Sequence, residues 1–206
     1  MSPIHRLLCV MSLGMLLAGC TLIEGRIDIA YRVETERNSP LSMIDPLIVY
    51  VELLDQREVN DPLLIGYKKG GFGNVLASVK SKQEVSGVVR QALEAELRNN
   101  GHGIALDSAA QRNATLIVRL KQFWTEPFVK IFDVQVQASL NADIEVVDSS
   151  ARRITSRTIV GTQIESWQLG IDQAYDSVLN GALRGFVRNV ARDPSLLKAL
   201  RQISAP

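Results

Sequence analysis

Phe132-Asp133-Val134-Gln135-Val136-Gln137-Ala138-Ser139-Leu140-Asn141-Ala142-Asp143-Ile144-Glu145-Val146 alternates apolar and polar residues without a break. Side chains on a strand point alternately to opposite faces, so this stretch predicts a long antiparallel strand with one face on the core and the other in water. A slip of one residue would expose the whole apolar set, and the register is therefore firm. Asp148-Ser149-Ser150-Ala151 reads as a turn, and Arg153 to Trp167, rich in Thr, Ile and Val, returns as the second arm of a hairpin.

Upstream, Ala114 to Phe123 is a further strand, with Leu116, Val118 and Leu120 facing one way and Pro127 ending it. Leu47 to Leu54 is almost continuously apolar apart from Glu52, as expected of a central strand buried on both faces. Between these two strands, Ser81-Lys82-Gln83-Glu84 has the serine and glutamate of a capping box. Val85, Val88, Val89, Ala92 and Leu93 then mark one face of a helix that Asn99-Asn100-Gly101 stops, and Gly103 to Leu106 is a short strand. From Asp55 to Lys80 the periodicity lapses into a long exposed loop, with a hairpin as a variant reading.

Downstream of Gly170, an apolar stripe from Ile171 to Val190 predicts a long helix with Asp172 and Asp176 near its positive end. Asp193-Pro194 terminates it, and Ser195 to Ile203 forms a short final helix. Ile27, Ile29, Tyr31 and Val33 alternate with polar or small residues as a short strand or extended arm, which Arg37-Asn38-Ser39-Pro40 breaks. These elements predict an α+β fold, a two-layer sandwich of a mostly antiparallel sheet with two main helices packed on one face.

The N-terminus carries a different message. His5 and Arg6 precede an apolar run from Leu7 to Leu17, and Leu17-Ala18-Gly19-Cys20 follows the pattern of a bacterial lipobox. Residues 1–19 thus read as a signal peptide, too short to span a bilayer, removed once the Cys20 thiolate has taken a diacylglyceryl group. Residues 20–45 then form a lipidated N-terminus and extended arm, and 46–206 a single periplasmic domain. Cys9 leaves with the signal and Cys20 is consumed by lipid, which rules out an internal disulfide, thiol catalysis and cysteine metal ligation in the mature chain. Lys and Arg number 23 against 22 Asp and Glu, so no global field draws the chain to nucleic acid.

Candidate chemistry is sparse. His102, between two glycines, reads as a solvated turn residue lacking the nucleophile and orienting acid that a general base needs. Gly66 to Asn74 has lysines but no P-loop ending; it reads better as a loop offering Tyr67, Lys68, Lys69 and Phe72 to a partner. Arg184, Arg188 and Arg192 share one helix face, a basic stripe that suits an anionic glycan, lipid headgroup or acidic partner. No cofactor, metal or catalytic site is expected. The leading reading is a non-enzymatic, membrane-anchored binding or assembly module for an envelope protein, glycan or lipid. The alternative is an envelope hydrolase whose acids lie among Asp55, Glu58 and Asp61.

The chain resembles the YajG-like uncharacterised lipoproteins of Gram-negative bacteria. The likeness rests on Cys20, on Asp55-Gln56-Arg57 followed by Ile65-Gly66, on Asn141-Ala142-Asp143-Ile144, and on Ile171-Asp172 through Val178-Leu179 to Asp193-Pro194-Ser195-Leu196. The resemblance implies an outer-membrane lipoprotein with palmitate and diacylglycerol on Cys20, a small α+β domain in the periplasm and no assigned enzymatic activity. In such lipoproteins an aspartate directly after the acylated cysteine commonly retains the protein in the inner membrane; here that place is Thr21.

Overall fold

The computed structural model describes residues 23–33, 39–70, 72–129, 134–167 and 171–205. The signal peptide, Cys20, Thr21, Arg37, Asn38, Gly71, Phe132, Asp133 and Gly170 lie outside them. Eight strands run as β1 (Gly25–Ile27), β2 (Ile48–Asp55), β3 (Leu64–Lys69), β4 (Val75–Ser81), β5 (Gly103–Ile104), β6 (Ala114–Val129), β7 (Val134–Asp148) and β8 (Arg153–Trp167). The helices are α1 (Val85–Asn99), α2 (Ile171–Arg192) and α3 (Pro194–Ser204), with a 3-10 turn at Pro40–Met43.

The fold is α+β and its sheet is mixed: the β3–β4, β6–β7 and β7–β8 ladders are antiparallel, the β1–β4, β2–β5, β2–β6 and β3–β6 pairings parallel, and the described residues hold three α-helices. β6 is the hub of the sheet. Along one edge it pairs antiparallel with β7 from Ala114↔Asp148 to Val129↔Val134, and β8 continues the antiparallel ladder beyond β7. Along its other edge β6 pairs parallel with β2 from Val49↔Ala114 to Asp55↔Leu120, and then with β3 at Gly66↔Thr125. The sheet therefore forks along β6, and the ladder slips by one residue between Leu120 and Gln122. That bulge resets the alternation: Leu116, Val118 and Leu120 are buried before it, Phe123 and Thr125 after it.

β7 keeps the predicted register. Val136, Ala138, Leu140, Ala142, Ile144 and Val146 are all fully buried, whereas the polar residues between them are only half-buried. They join one core with Val49 and Val51 of β2, Val89 and Leu93 of α1, Leu179, Leu183 and Phe186 of α2 and Leu196 and Leu200 of α3. Ile27, Ile29, Leu41 and Ile44 belong to the same core, so the N-terminal arm packs on the domain. α2 lies so close to β8 that Gly161 faces the helix backbone directly.

Several local expectations are corrected. β2 is buried on one face only: Ile48 and Leu54 are 42% and 38% exposed, because its outward side chains share the uncovered face with Arg119 and Asp143. The segment from Asp55 to Lys80 is not one long loop but holds the hairpin of the second reading: β3 and β4 pair antiparallel and join the sheet, β4 carrying β1 on its far side. Glycines and lysines masked that period-two pattern in the sequence. The hairpin turns at Gly70, whose N–H donates to Asn74 O at 2.8 Å, with Gly73 in the left-handed region. The capping box is absent: Ser81 ends β4, and Glu84 caps α1 without a side-chain hydrogen bond. β6 runs through Pro127, which proline tolerates because β3 pairs with β6 at Thr125 and no further along.

His102 is buried, not solvated. Its Nδ1 accepts the Leu47 N–H and its Nε2 donates to Leu41 O, both at 3.2 Å, so the neutral ring pins the 3-10 turn to the start of β2. Burial pushes its pKa below the ordinary value, outweighing the opposing hydrogen bond to Leu41. A depressed folded-state pKa means that the unfolded chain binds the proton first. The contribution is complete above the unfolded pKa of about 6.5 and is lost as pH falls through the folded pKa. His102 is the sole histidine after residue 19, so stability should decline below about pH 6.5, well before the carboxylates titrate. His102→Asn should remove that slope; denaturant midpoints measured from pH 7.5 to 5 check it.

Candidate functional site

The uncovered face of the sheet carries a groove centred on Trp124. Because Phe123 turns inward after the bulge, Trp124 turns outward, and the edge of Tyr67 on β3 meets its ring with centroids 5.4 Å apart and planes at 73°. On one side of Trp124, where β2 and β3 part company along β6, lies an open cavity of about 550 Å³ bordered by Gln56, Glu58, Lys121, Gln122 and Asn141. On the other side a smaller hollow of about 180 Å³ is bordered by Glu126, Phe128, Gln137 and Ser139. Gln122 and Trp124 line both, so the two hollows adjoin along β6 and together form a channel-like surface.

Arg57 builds the end of the channel. Its guanidinium, almost wholly buried, is 2.8 Å from Asp55 Oδ2 and donates to Pro62 O at 2.9 Å and Leu64 O at 2.8 Å. All three guanidinium nitrogens are engaged in clamping the loop between β2 and β3, so Arg57 shapes the cavity as a structural clamp. Lys121 Nζ donates to Gln56 Oε1 at 2.6 Å and lies 3.9 Å from Asp143; Glu126 pairs with Lys69. The charges along the channel are thus largely spent on one another.

The neutral polar groups are not. The side chains of Gln122, Gln137 and Ser139 have no hydrogen-bond partner among the described residues, and Asn141 Oδ1, directly across the ladder from Gln122, is buried without one. A buried orphan acceptor costs about 1–3 kcal/mol.

The surface residues expected from sequence do not form one patch. Tyr67 braces Trp124 at the channel; Lys69 is tied to Glu126 beside it; Lys68 is buried on β3, and a Cβ on Gly25 would lie 3.1 Å from its Cε. Phe72 stands fully exposed in the β3–β4 turn. Arg184, Arg188 and Arg192 are exposed on α2 and make no ion pair among the described residues. The acids considered for hydrolysis do not converge either. Asp55 serves Arg57, while Asp61, held below the ordinary carboxylate range by the Leu63 N–H and by Lys80, pairs with Lys80 at 3.1 Å. Glu58 is left alone at the rim of the cavity. Among the described residues no group of three His, Cys, Asp or Glu could hold a metal ion, and no helix is long and apolar enough to cross a membrane.

A family model of uncharacterized lipoproteins matches residues 45–201, which takes in β2 to β8, α1, α2 and most of α3. The chain belongs to this family. As a lipoprotein it is anchored to a membrane, and the matched region carries no indicated catalytic activity. No curated protein matches it. Among solved structures, protein XCC0632 from Xanthomonas campestris is similar at a TM-score of 0.62 and 12% identity, over 85% of this lipoprotein and 96% of that chain. A minor lipoprotein from Acinetobacter baumannii is 13% identical with a TM-score of 0.39, over 72% of this chain and 92% of that one. At such identities the first likeness shows a shared fold and nothing of a shared ligand.

The central site residues, Gln122, Trp124, Gln137, Ser139 and Asn141, escaped the sequence reading. Their outward direction was written in the β7 alternation for Gln137, Ser139 and Asn141. For Gln122 and Trp124 it depends on the bulge after Leu120, which no composition signal announces.

Proposed function

We propose that this lipoprotein is anchored through acylated Cys20 in the outer membrane, holds its domain in the periplasm, and acts there as a non-enzymatic binding module. Its partner surface is the uncovered face of the sheet, left open because the helices and sheet are stacked as two layers. The observation that carries this reading is the channel around Trp124, which gathers unspent neutral hydrogen-bonding groups and an aromatic ring without a convergent acid pair. The lipobox and the family both support the anchor. Two or more acyl chains hold stably where one binds only marginally.

Fractionation of bacteria expressing the full chain tests this. Cys20→Ala should move the protein from the membrane pellet to the soluble fraction, and Thr21→Asp should shift it from outer-membrane to inner-membrane density. A Cys20→Ala protein still pelleting after a high-salt wash, or a wild-type protein already banding with inner membrane, would contradict the assignment.

A further inference from the structure

Resting on the reading of this domain as a binding module, we infer that the channel along β6 binds a neutral oligosaccharide carrying N-acetyl groups. Four observations select that chemistry over others. First, most charged side chains bordering the channel have partners: Arg57 has Asp55, Glu126 has Lys69, and Lys121 has Gln56 and lies 3.9 Å from Asp143. A strongly acidic or polybasic ligand would find only Lys121 beside Asp143 and the lone carboxylate of Glu58, with no cluster of one sign to neutralise it.

Second, the uncommitted groups are amides and a hydroxyl. Gln122, Gln137 and Ser139 each offer both a donor and an acceptor, the combination that vicinal hydroxyls and acetamido groups match. Third, Asn141 lines the channel directly across the ladder from Gln122, and its buried Oδ1 has no donor among the described residues, which adds a further amide to this neutral lining. Fourth, Trp124 at the junction of the two hollows presents an aromatic ring held in place by Tyr67, a platform for the apolar C–H face of a pyranose.

Shape agrees with an extended ligand. From Gln122 to Phe128 the strand spans roughly 20 Å, which accommodates several rings in a row and not a single sugar. The backbone bulge at Lys121 and the parting of β2 from β3 open the deeper end, so the chain enters over Gln56 and leaves past Phe128. Phe128, 46% exposed, is a second apolar contact at that end. A sheet face built to pack against another protein would instead present a contiguous apolar patch; here Glu126 separates Trp124 from Phe128, and Ser139 and Gln137 lie between Trp124 and Ile164.

The test uses the acylated full-length lipoprotein in a zwitterionic, sugar-free detergent and, as probe, the β-1,4-linked tetramer of N-acetylglucosamine. Saturation-transfer NMR and calorimetry should detect binding that weakens at least tenfold in Trp124→Ala and severalfold in Gln122→Ala. Gln122 is exposed and bears no structural contact, so its variant keeps the wild-type melting temperature and separates lost binding from lost fold. An acidic hexuronate oligomer of equal length should bind more weakly. No binding of the tetramer at millimolar concentration, equal binding by both variants, or preference for the acidic oligomer would overturn the inference. Such a failure with membrane fractionation intact would remove the glycan and leave the tethered module standing.

Discussion

Gly161→Ala is expected to cost about 3 kcal/mol or more, by forcing α2 away from the sheet. A Cβ at this position would lie 2.3 Å from Ala182 O, 2.3 Å from Phe186 N and 2.7 Å from Phe186 Cα. All three are helix backbone atoms, which cannot rotate aside as a side chain would. The helix can only lift, and the residues on its inner face, Ala182, Leu183, Phe186 and Val187, are fully buried. Lifting them opens voids across a close-packed core. For a domain of this size the loss corresponds to a melting temperature lower by roughly 6–12 °C. Gly185→Ala is the matched control on the same contact: its Cβ would meet nothing nearer than 3.8 Å. It should be neutral or gain up to about 1 kcal/mol from helix propensity. Thermal denaturation of both proteins checks the pair, and a Gly161→Ala melt matching wild type would show that α2 does not sit this close to β8.

How the fold was legible in the sequence depends on how many constraints each segment satisfied locally. β7 is plain because its long run of strict alternation leaves one orientation, and α2 and α3 because the apolar stripe and the Asp193-Pro194 break agree. The structure adds a cap there: Asp193 accepts the N–H groups of Ser195 and Leu196, both at 2.9 Å. Ser81 and Glu84 carried an equally good signal and it failed, because Ser81 was already recruited as the last residue of β4. Tertiary pairing overrode a local preference there. Likewise β3 is too rich in glycine and lysine to look like a strand; Gly66 is required where it stands because a Cβ would come within 2.5 Å of Thr125 O on β6. His102 gave the opposite error. Two flanking glycines suggested a wet turn, yet the turn is covered by Leu41, and only the folded chain shows the ring bridging Leu47 and Leu41.

The candidate site was half legible for the same reason. Alternation alone tells which residues of β7 face outward, but a channel needs neighbours, and those come from β2, β3 and β6 through a fork and a bulge. Long-range pairings such as Gly66↔Thr125 leave no mark within either segment.

The alternation of β7 divides the sheet into a core face and an uncovered face. Val136 is wholly buried, with Pro127 and Glu165 as its ladder partners, and an aspartate there would place a carboxylate where desolvation has no offset. Gln135, one residue earlier, points the other way and donates to Ser166 Oγ at 3.1 Å. Val136→Asp is expected to cost about 4 kcal/mol or more, enough to unfold a protein of ordinary stability, and Gln135→Asp about 1 kcal/mol at most. Urea denaturation of the two purified variants beside wild type is the most direct measurement. The account predicts a near-native midpoint for Gln135→Asp and a collapsed or absent transition for Val136→Asp; equal losses, or the reverse order, would contradict the register on which both the core and the channel are built.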